Sequence, residues 1–446
     1  MSYLPKAPWV GAGGFGCAFL RLTLPIVLTL LLSSVANAQT PGRTLSLSSA
    51  LERTLGNNPS LNLYVFRREA LEGAAFTANL RPAYEVEFEA ENFGGSGETE
   101  AFDSAELTLS LSSVLELGDK RGARSDLVST TRSIVDTQLQ LESLELLAEV
   151  TRRFIDTLAA QARVELSKDA VRLAEETLAT VQKRASAGAI SQAEVSRAQS
   201  SLAMARLMLA SEAQLLESLK LSLAALWGEQ TPTFDKVSGD LFQFGNDKSL
   251  DALYGTLERN PAITMFVDQE RLKDSELRLA RTQSKSDLSW SVGVRRFRET
   301  EDTALVAGLA MPLFSARRNT GEISRLRSER SAIALQREAD ILKLRALLFG
   351  AYNTRQQAKF AVTQLKDSVI PSLEEALKQT RKGYQRGRFS YLDYISVSKE
   401  LLESKRMLIE SAAAVLTYGA EIEQLSADSL SVDRFIPNND TPGIRK

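Results

Sequence analysis

No histidine occurs in this chain of 446 residues, and its single cysteine is Cys17. These two shortages exclude a good deal. Imidazole and thiolate hold structural zinc, copper and iron–sulfur centres, so neither a metal site nor a cofactor is expected. Nucleophile–base pairs of the Ser–His or Cys–His kind cannot be assembled either. Carboxylate-pair and Ser–Lys chemistries pass the filter, which weakens an enzyme reading without removing it. Net charge is equally scarce: 54 basic and 56 acidic residues leave −2, no field that would gather nucleic acid. Long apolar runs are missing too. Leu22 to Leu32 is a short apolar core, well below the ~20 residues that cross a bilayer as a helix.

That core sits in a secretory signal. Lys6 and Arg21 are its only charges, and Ala36-Asn37-Ala38 supplies the small-x-small pattern of a cleavage site, which places cleavage before Gln39. Residues 1–38 are therefore read as a signal peptide. With no other segment of spanning-helix length, any membrane insertion must use β-strands.

What the sequence does have is a tandem repeat. Ala50-Leu51-Glu52-Arg53-Thr54-Leu55 precedes Asn58-Pro59, and Ala252-Leu253-Tyr254-Gly255-Thr256-Leu257 precedes Asn260-Pro261. Each reads as a short helix that proline stops. Leu111 to Leu115 is answered by Leu309 to Leu313. Gly188 to Glu194 is answered by Gly387 to Asp393, with Leu202 and Arg206 matching Leu401 and Lys405. The order is kept throughout. This divides the chain into repeat one at 39–227, a connector at 228–248, repeat two at 249–426 and a loose polar tail at 427–446.

Each repeat holds two alternating segments. Tyr84, Val86, Phe88 and Ala90 alternate with Glu85, Glu87, Glu89 and Glu91, and Leu107, Leu109 and Leu111 alternate with Thr108, Ser110 and Ser112. Leu288, Trp290, Val292 and Val294 repeat the pattern, as do Leu305, Ala307, Leu309 and Met311. Period two with one apolar and one polar face predicts strands near 84–93, 105–115, 287–298 and 303–313. Faces of that kind fit a membrane barrel, apolar outside, with Glu85, Glu87 and Glu89 in the lumen. A soluble sheet is the alternative, but no obvious layer is left to cover one. Four strands cannot close a barrel that needs at least about eight, so several chains must share it.

Long helices follow the strands. One runs from about Arg121 to Ala185 and another from about Thr320 to Gln385, the second with a kink at Pro371. About 60 residues at 1.5 Å make a rod of roughly 90 Å, a coiled-coil length. Tight turns near 185–191 and 385–390 close each into a hairpin. There Gly188 and Gly387 stop one helix and Ser191 and Ser390 cap the next, with Glu194 and Asp393 at the capping-box position.

Taken together these elements resemble the TolC family of outer-membrane efflux proteins, from about Leu45 to Leu425. The stretch Leu115-Glu-Leu-Gly-Asp-Lys-Arg-Gly-Ala-Arg124 is similar to the cobalt–zinc–cadmium efflux branch, whose members serve heavy-metal pumps. The resemblance implies a mixed α+β membrane protein. It would be a homotrimer sharing a 12-stranded transmembrane β-barrel, four strands per chain, continued by a periplasmic α-helical coiled-coil tunnel. It implies a passive duct in the bacterial outer membrane, in contact with outer-membrane lipid. Partners would be a periplasmic adaptor and an inner-membrane pump of the resistance-nodulation-division type, with heavy-metal cations as cargo.

By the same resemblance Asp393, Glu194 and Tyr384 would hold the periplasmic gate. Gly188, Ile190, Ser191, Gly387, Phe389 and Ser390 would form adaptor-contacting tips. Two positions depart from the family pattern. Gln39 rather than a lipid-bearing cysteine follows the cleavage site, and Ser396 stands where a second gate aspartate would follow Asp393. Other readings of the same features are a type I secretion or drug-efflux duct of this fold, and a non-conducting coiled-coil interaction protein. A hydrolase using Glu85 and Glu87 is disfavoured, because both sit on one face without an acid–base partner of opposite environment.

Overall fold

The computed structural model describes residues 43–427 apart from Phe314. The expected signal peptide and nearly all of the expected tail lie outside the described residues. Repeat one begins with a two-residue strand, β1 (Thr44–Leu45), and two helices, α1 (Leu47–Asn57) and α2 (Pro59–Ala78). Then come the antiparallel pair β2 (Glu85–Glu91) and β3 (Glu106–Leu115), and the helices α3 (Lys120–Ser186) and α4 (Gln192–Ala224). The connector contributes β4 (Lys236–Val237). Repeat two follows the same order: α5 (Leu250–Tyr254), α6 (Pro261–Gln283), β5 (Leu288–Phe297), β6 (Thr303–Ala310), α7 (Thr320–Gln364), α8 (Ile370–Gln385) and α9 (Tyr391–Ser426).

The two Asn-Pro pairs do more than end a helix. Asn58 caps α2, its Oδ1 accepting from the Ser60 and Leu61 amides, and Pro59 takes the first helical position. Proline suits that position, because its missing N–H has no partner there in any helix. Asn260 caps α6 in the same way through Ala262. The other end of each amide reaches across the fold: Asn58 Nδ2 donates to Leu226 O and Asn260 Nδ2 to Leu425 O. Each pair thus ties the start of one helix to the far end of its own repeat. The reading of proline as a stop was half the story, and the 20-residue α2 and 23-residue α6 that begin there were missed.

The Leu115–Arg124 stretch turns out to be a corner. Gly118 and Asp119 both take left-handed backbone, at φ 83° and 64°, so that strand β3 can swing directly into α3. A side chain at Gly118 would also strike that of Lys285. Both carboxylate oxygens of Glu116 accept from Arg124, whose guanidinium further donates to Ala78 O and Leu80 O. Asp287 closes the corner from repeat two, accepting from Leu117 N and Lys120 Nζ.

The helices form a layer. α3 packs on α4 and on α9, and α9 packs on α7 and α8, which gives the lateral order α4, α3, α9, α7/α8. With 67 residues, α3 rises about 100 Å. Where the sequence predicts a kink at Pro371, the structure has a change of helix type. Pro371 interrupts no helix outright but follows one π-helical turn, Leu365–Val369, between α7 and α8. The widened turn accommodates the carbonyl of residue 367, which loses its usual donor and would otherwise meet the proline ring.

The main core lies at mid-length. Val150, Phe154, Ile155 and Leu158 of α3 meet Leu223, Trp227, Val237, Val415 and Leu416 there. Each such side chain contributes roughly 1.5–3 kcal/mol by leaving water. The parallel pair β1–β4 flanks this core, and Gln161 clamps it by donating to Val237 O and accepting from Val237 N. Across the sheet the strand order is β2-β3-β5-β6, all antiparallel, so β2 and β6 are open edges. No described helix is long and apolar enough to cross a membrane.

Candidate functional site

The two hairpin tips are built by the same backbone device. After α3, Gly188 N donates to Ala185 O and Ala189 N to Arg184 O. After α8, Gly387 N donates to Tyr384 O and Arg388 N to Gly383 O. These crossed bonds need one residue in the left-handed region, and Gly188 and Gly387 supply it at φ 72° and 74°.

Beyond the glycines the tips diverge. Ser390 forms a full capping box: its Oγ accepts from Asp393 N while Asp393 Oδ2 accepts from Ser390 N at 2.9 Å. These donors hold the exposed Asp393 carboxyl below its ordinary value, the Ser390 hydroxyl more than the amide. Ser191 occupies the equivalent place but makes no side-chain cap bond. The capping box expected for repeat one does not form, because Glu194 faces Tyr384 instead, its Oε2 lying 3.5 Å from the phenol oxygen.

Tyr384 is the centre of the site. It is 2 % exposed and joins Val181, Val195, Ala198, Tyr391 and Tyr394 in a cluster between the hairpins. Its ring stacks on Tyr394 with centroids 5.9 Å apart and tilts against Tyr391 at 6.2 Å. Arg184 of α3 lies 4.3 Å above the ring and donates to Tyr384 O at 2.7 Å, so one guanidinium clamps the ring face and the backbone of the opposite hairpin. Burial pushes the Tyr384 phenol up, with Arg184 opposing and Glu194 reinforcing the shift. Arg381–Glu176 and Arg406–Glu212 add further ties between the hairpins. At the tips themselves Ile190 packs against the tyrosine cluster. Phe389 folds back on Gly383 so closely that a methyl there would overlap its ring.

Arg184, Thr177, Tyr391 and Tyr394 were missed in the sequence. A signal existed, since three tyrosines within eleven residues (384 to 394) is dense for a chain with nine in all. The hydroxyls differ in satisfaction. Tyr394 Oη pairs with Thr177 Oγ1 at 3.1 Å, whereas buried Tyr391 Oη, near Ser201, has no hydrogen bond of good geometry among the described residues. A buried unpaired hydroxyl costs about 1–3 kcal/mol. Tyr391→Phe should therefore match or exceed the native protein in thermal unfolding, while Tyr394→Phe should fall below it. The reverse ranking would mean that Tyr391 Oη has a partner in solution.

Glu85, Glu87 and Glu89 stand on one face of the sheet, opposite Ser112, Ser110 and Thr108. No described cation pairs with them. Further along the same face Arg295 is held by Thr108, Glu106 and Glu91 at 2.9–3.1 Å. The other face carries Val86, Phe88, Leu109, Val292, Leu305 and Leu309, all at least half exposed. Aromatic pairs mark the two ends of the sheet: Tyr84 meets Trp290 edge-on, and Phe93 stacks on Phe102. No group of three or more carboxylates among the described residues is placed to hold a metal ion.

With this geometry in hand, similarity to known proteins becomes informative. Residues 51–229, which nearly coincide with repeat one, match the family described as outer membrane efflux protein. The cobalt-zinc-cadmium resistance protein CzcC of Cupriavidus metallidurans is 27 % identical over 363 residues, 81 % of this chain and 85 % of that protein. A solved membrane protein from Pseudomonas aeruginosa superposes with a TM-score of 0.70 at 15 % identity, over 86 % of this chain and 91 % of that one. CusC, solved in work on folding and transmembrane channel formation, gives 0.69 at 16 % identity, over 92 % and 97 %. At those identities the two structures speak for the fold alone.

Proposed function

We propose that this chain, whose residues 51–229 match the outer membrane efflux protein family, is the outer-membrane channel of a tripartite efflux system, passing substrate outward without converting it. The observation that carries this is a pair of matched open edges. The sheet ends on β2 and β6, and the helix layer ends on α4 and α7/α8. Closing both by copies of the same chain would set β6 beside the next β2 and α7/α8 beside the next α4. Three copies make 12 strands, enough to close a barrel. Apolar side chains left uncovered on both helix edges support this closure: Met204 and Leu207 on α4, and Leu335, Leu342 and Phe349 at seven-residue spacing on α7.

In this reading the carboxylates of β2 line the lumen and the apolar face meets lipid. Tyr384, Glu194 and Asp393 hold the periplasmic mouth, Tyr384 by locking the two hairpins together and Asp393 as a repeated charge beside the opening. The tips at 188–191 and 387–390 meet a periplasmic adaptor, which links the duct to an inner-membrane pump. The likeness to CzcC supports divalent metal cations as cargo. A wall without histidine or cysteine offers such ions only oxygen and water, so passage is weakly bound and selection belongs to the pump.

Two measurements test this. Loss of the protein should raise sensitivity to cobalt, zinc and cadmium, and unchanged tolerance of all three would remove metals as cargo. In planar bilayers the oligomer should conduct with a preference for cations. Asp393→Ala should keep the oligomer assembled, losing only the local helix cap, while altering single-channel conductance and weakening that preference. Identical recordings would leave Asp393 a helix cap and nothing more.

A further inference from the structure

The apolar face of the sheet carries one charge. Neighbouring strands place Ala90, Leu107, Arg296 and Thr303 in one row across it, and every other strand residue on this face is uncharged. On the opposite face Arg295 is fully engaged by Glu106, Glu91 and Thr108. Arg296 is exposed and has no ion-pair partner among the described residues. Arg298 is exposed too, and Arg298 N donates to Ala105 O, which continues the ladder and turns this side chain to the same face as Arg296. The carboxylates of Glu299, Glu301 and Asp302 in the adjoining turn make no ion pair with either arginine among the described residues.

Position along the strand gives these charges a meaning. Ten residues of β5 rise about 33 Å, which at a barrel tilt crosses an apolar band of about 25 Å. Trp290 and Tyr84 mark the end next to the helices, and Arg296 stands one residue before the other end. At that far end Phe93 and Phe102 stack, 53 % and 61 % exposed. An unpaired guanidinium within an apolar band is tolerated where its planar fork can reach an anion at the interface. We propose that Arg296 and Arg298, at the same end of the sheet as the Phe93–Phe102 pair, form a binding surface for the phosphate-bearing headgroup of an outer-leaflet glycolipid. The guanidinium forks take the phosphate and the rings rest at headgroup depth. The proposal rests on the barrel reading above, which makes this face the lipid-facing one.

The test uses oligomer extracted from outer membranes and delipidated. It is offered lipid A or its dephosphorylated form, and bound lipid is counted by native mass spectrometry. The native protein should retain the phosphorylated lipid at least about tenfold better. Arg296→Gln/Arg298→Gln should bring retention down to that of the dephosphorylated lipid, and the corresponding double lysine variant should recover part of it. Equal retention of both lipids by native protein overturns the proposal, as does displacement by millimolar inorganic phosphate, which would mark a free-anion site. Membrane flotation of the native protein separates the two levels. Failure to float with outer membranes defeats the barrel reading, whereas a floating oligomer indifferent to lipid phosphate defeats only the arginine site.

Discussion

Asp247→Ala should destabilise the folded chain by up to about 3–5 kcal/mol, because a buried guanidinium loses its carboxylate partner. Arg355 is the reason. Its side chain is only 3 % exposed, and Nε donates to Asp247 Oδ1 at 2.9 Å. A second guanidinium nitrogen donates to Val415 O on α9, and Lys359 and Gln356 also converge on Asp247. Without the carboxylate, a guanidinium would stay buried with most of its charge uncompensated. The double variant Asp247→Ala/Arg355→Met should recover much of the loss, since the stranded charge goes with it. Equal midpoints for native protein and Asp247→Ala in urea unfolding would mean that Arg355 rehydrates freely.

The same residue sets a pH dependence. Burial pushes the Asp247 carboxyl up, but Lys359, Arg355 and Gln356 together hold it below its ordinary 3.8. A carboxyl depressed on folding contributes stability that is present above its unfolded value and lost as pH falls through the folded one. The contribution is therefore complete at neutral pH and declines only below about pH 4. In Asp247→Asn this acid-side slope should flatten.

On the proposed barrel reading, Val292→Arg is expected to abolish the outer-membrane oligomer. Val292 sits midway along β5 between Leu111 and Ala307, half exposed on the apolar face. A guanidinium at the centre of a lipid-facing band costs about 2–4 kcal/mol per chain, and every copy in the barrel would bear it. Glu87→Gln, on the opposite face, should assemble normally and change only ion preference. Heat-modifiable oligomer on gels reads the first outcome and bilayer recording the second. If Glu87→Gln blocked insertion while Val292→Arg did not, the two faces would have been assigned the wrong way round.

The sequence by itself determined what repeats at short range. Alternation at Tyr84–Glu91 and Leu288–Val294 predicts strands because successive side chains point to opposite faces, a property of the backbone alone. Gly188 and Gly387 mark the tips because few residues other than glycine adopt left-handed backbone readily. The doubling of the chain was legible for the same reason, as the blocks that recur are the turns and caps each repeat needs locally.

What only the tertiary structure decided is how residues some 70 to 200 positions apart meet. β1 and β4 have two residues each and exist only because Gln161 and the core hold them together. α2 was overlooked because Leu63, Val65 and Phe66 lie exposed beside buried Leu61 and Tyr64, which blurs the 3.6-residue stripe that identifies a helix. Ser191 and Ser390 occupy equivalent turns, yet only Ser390 closes a capping box. In repeat one the carboxylate three residues on is drawn to Tyr384 of the other hairpin. A local motif states which hydrogen bonds are possible, and the packing of distant helices selects the one that forms.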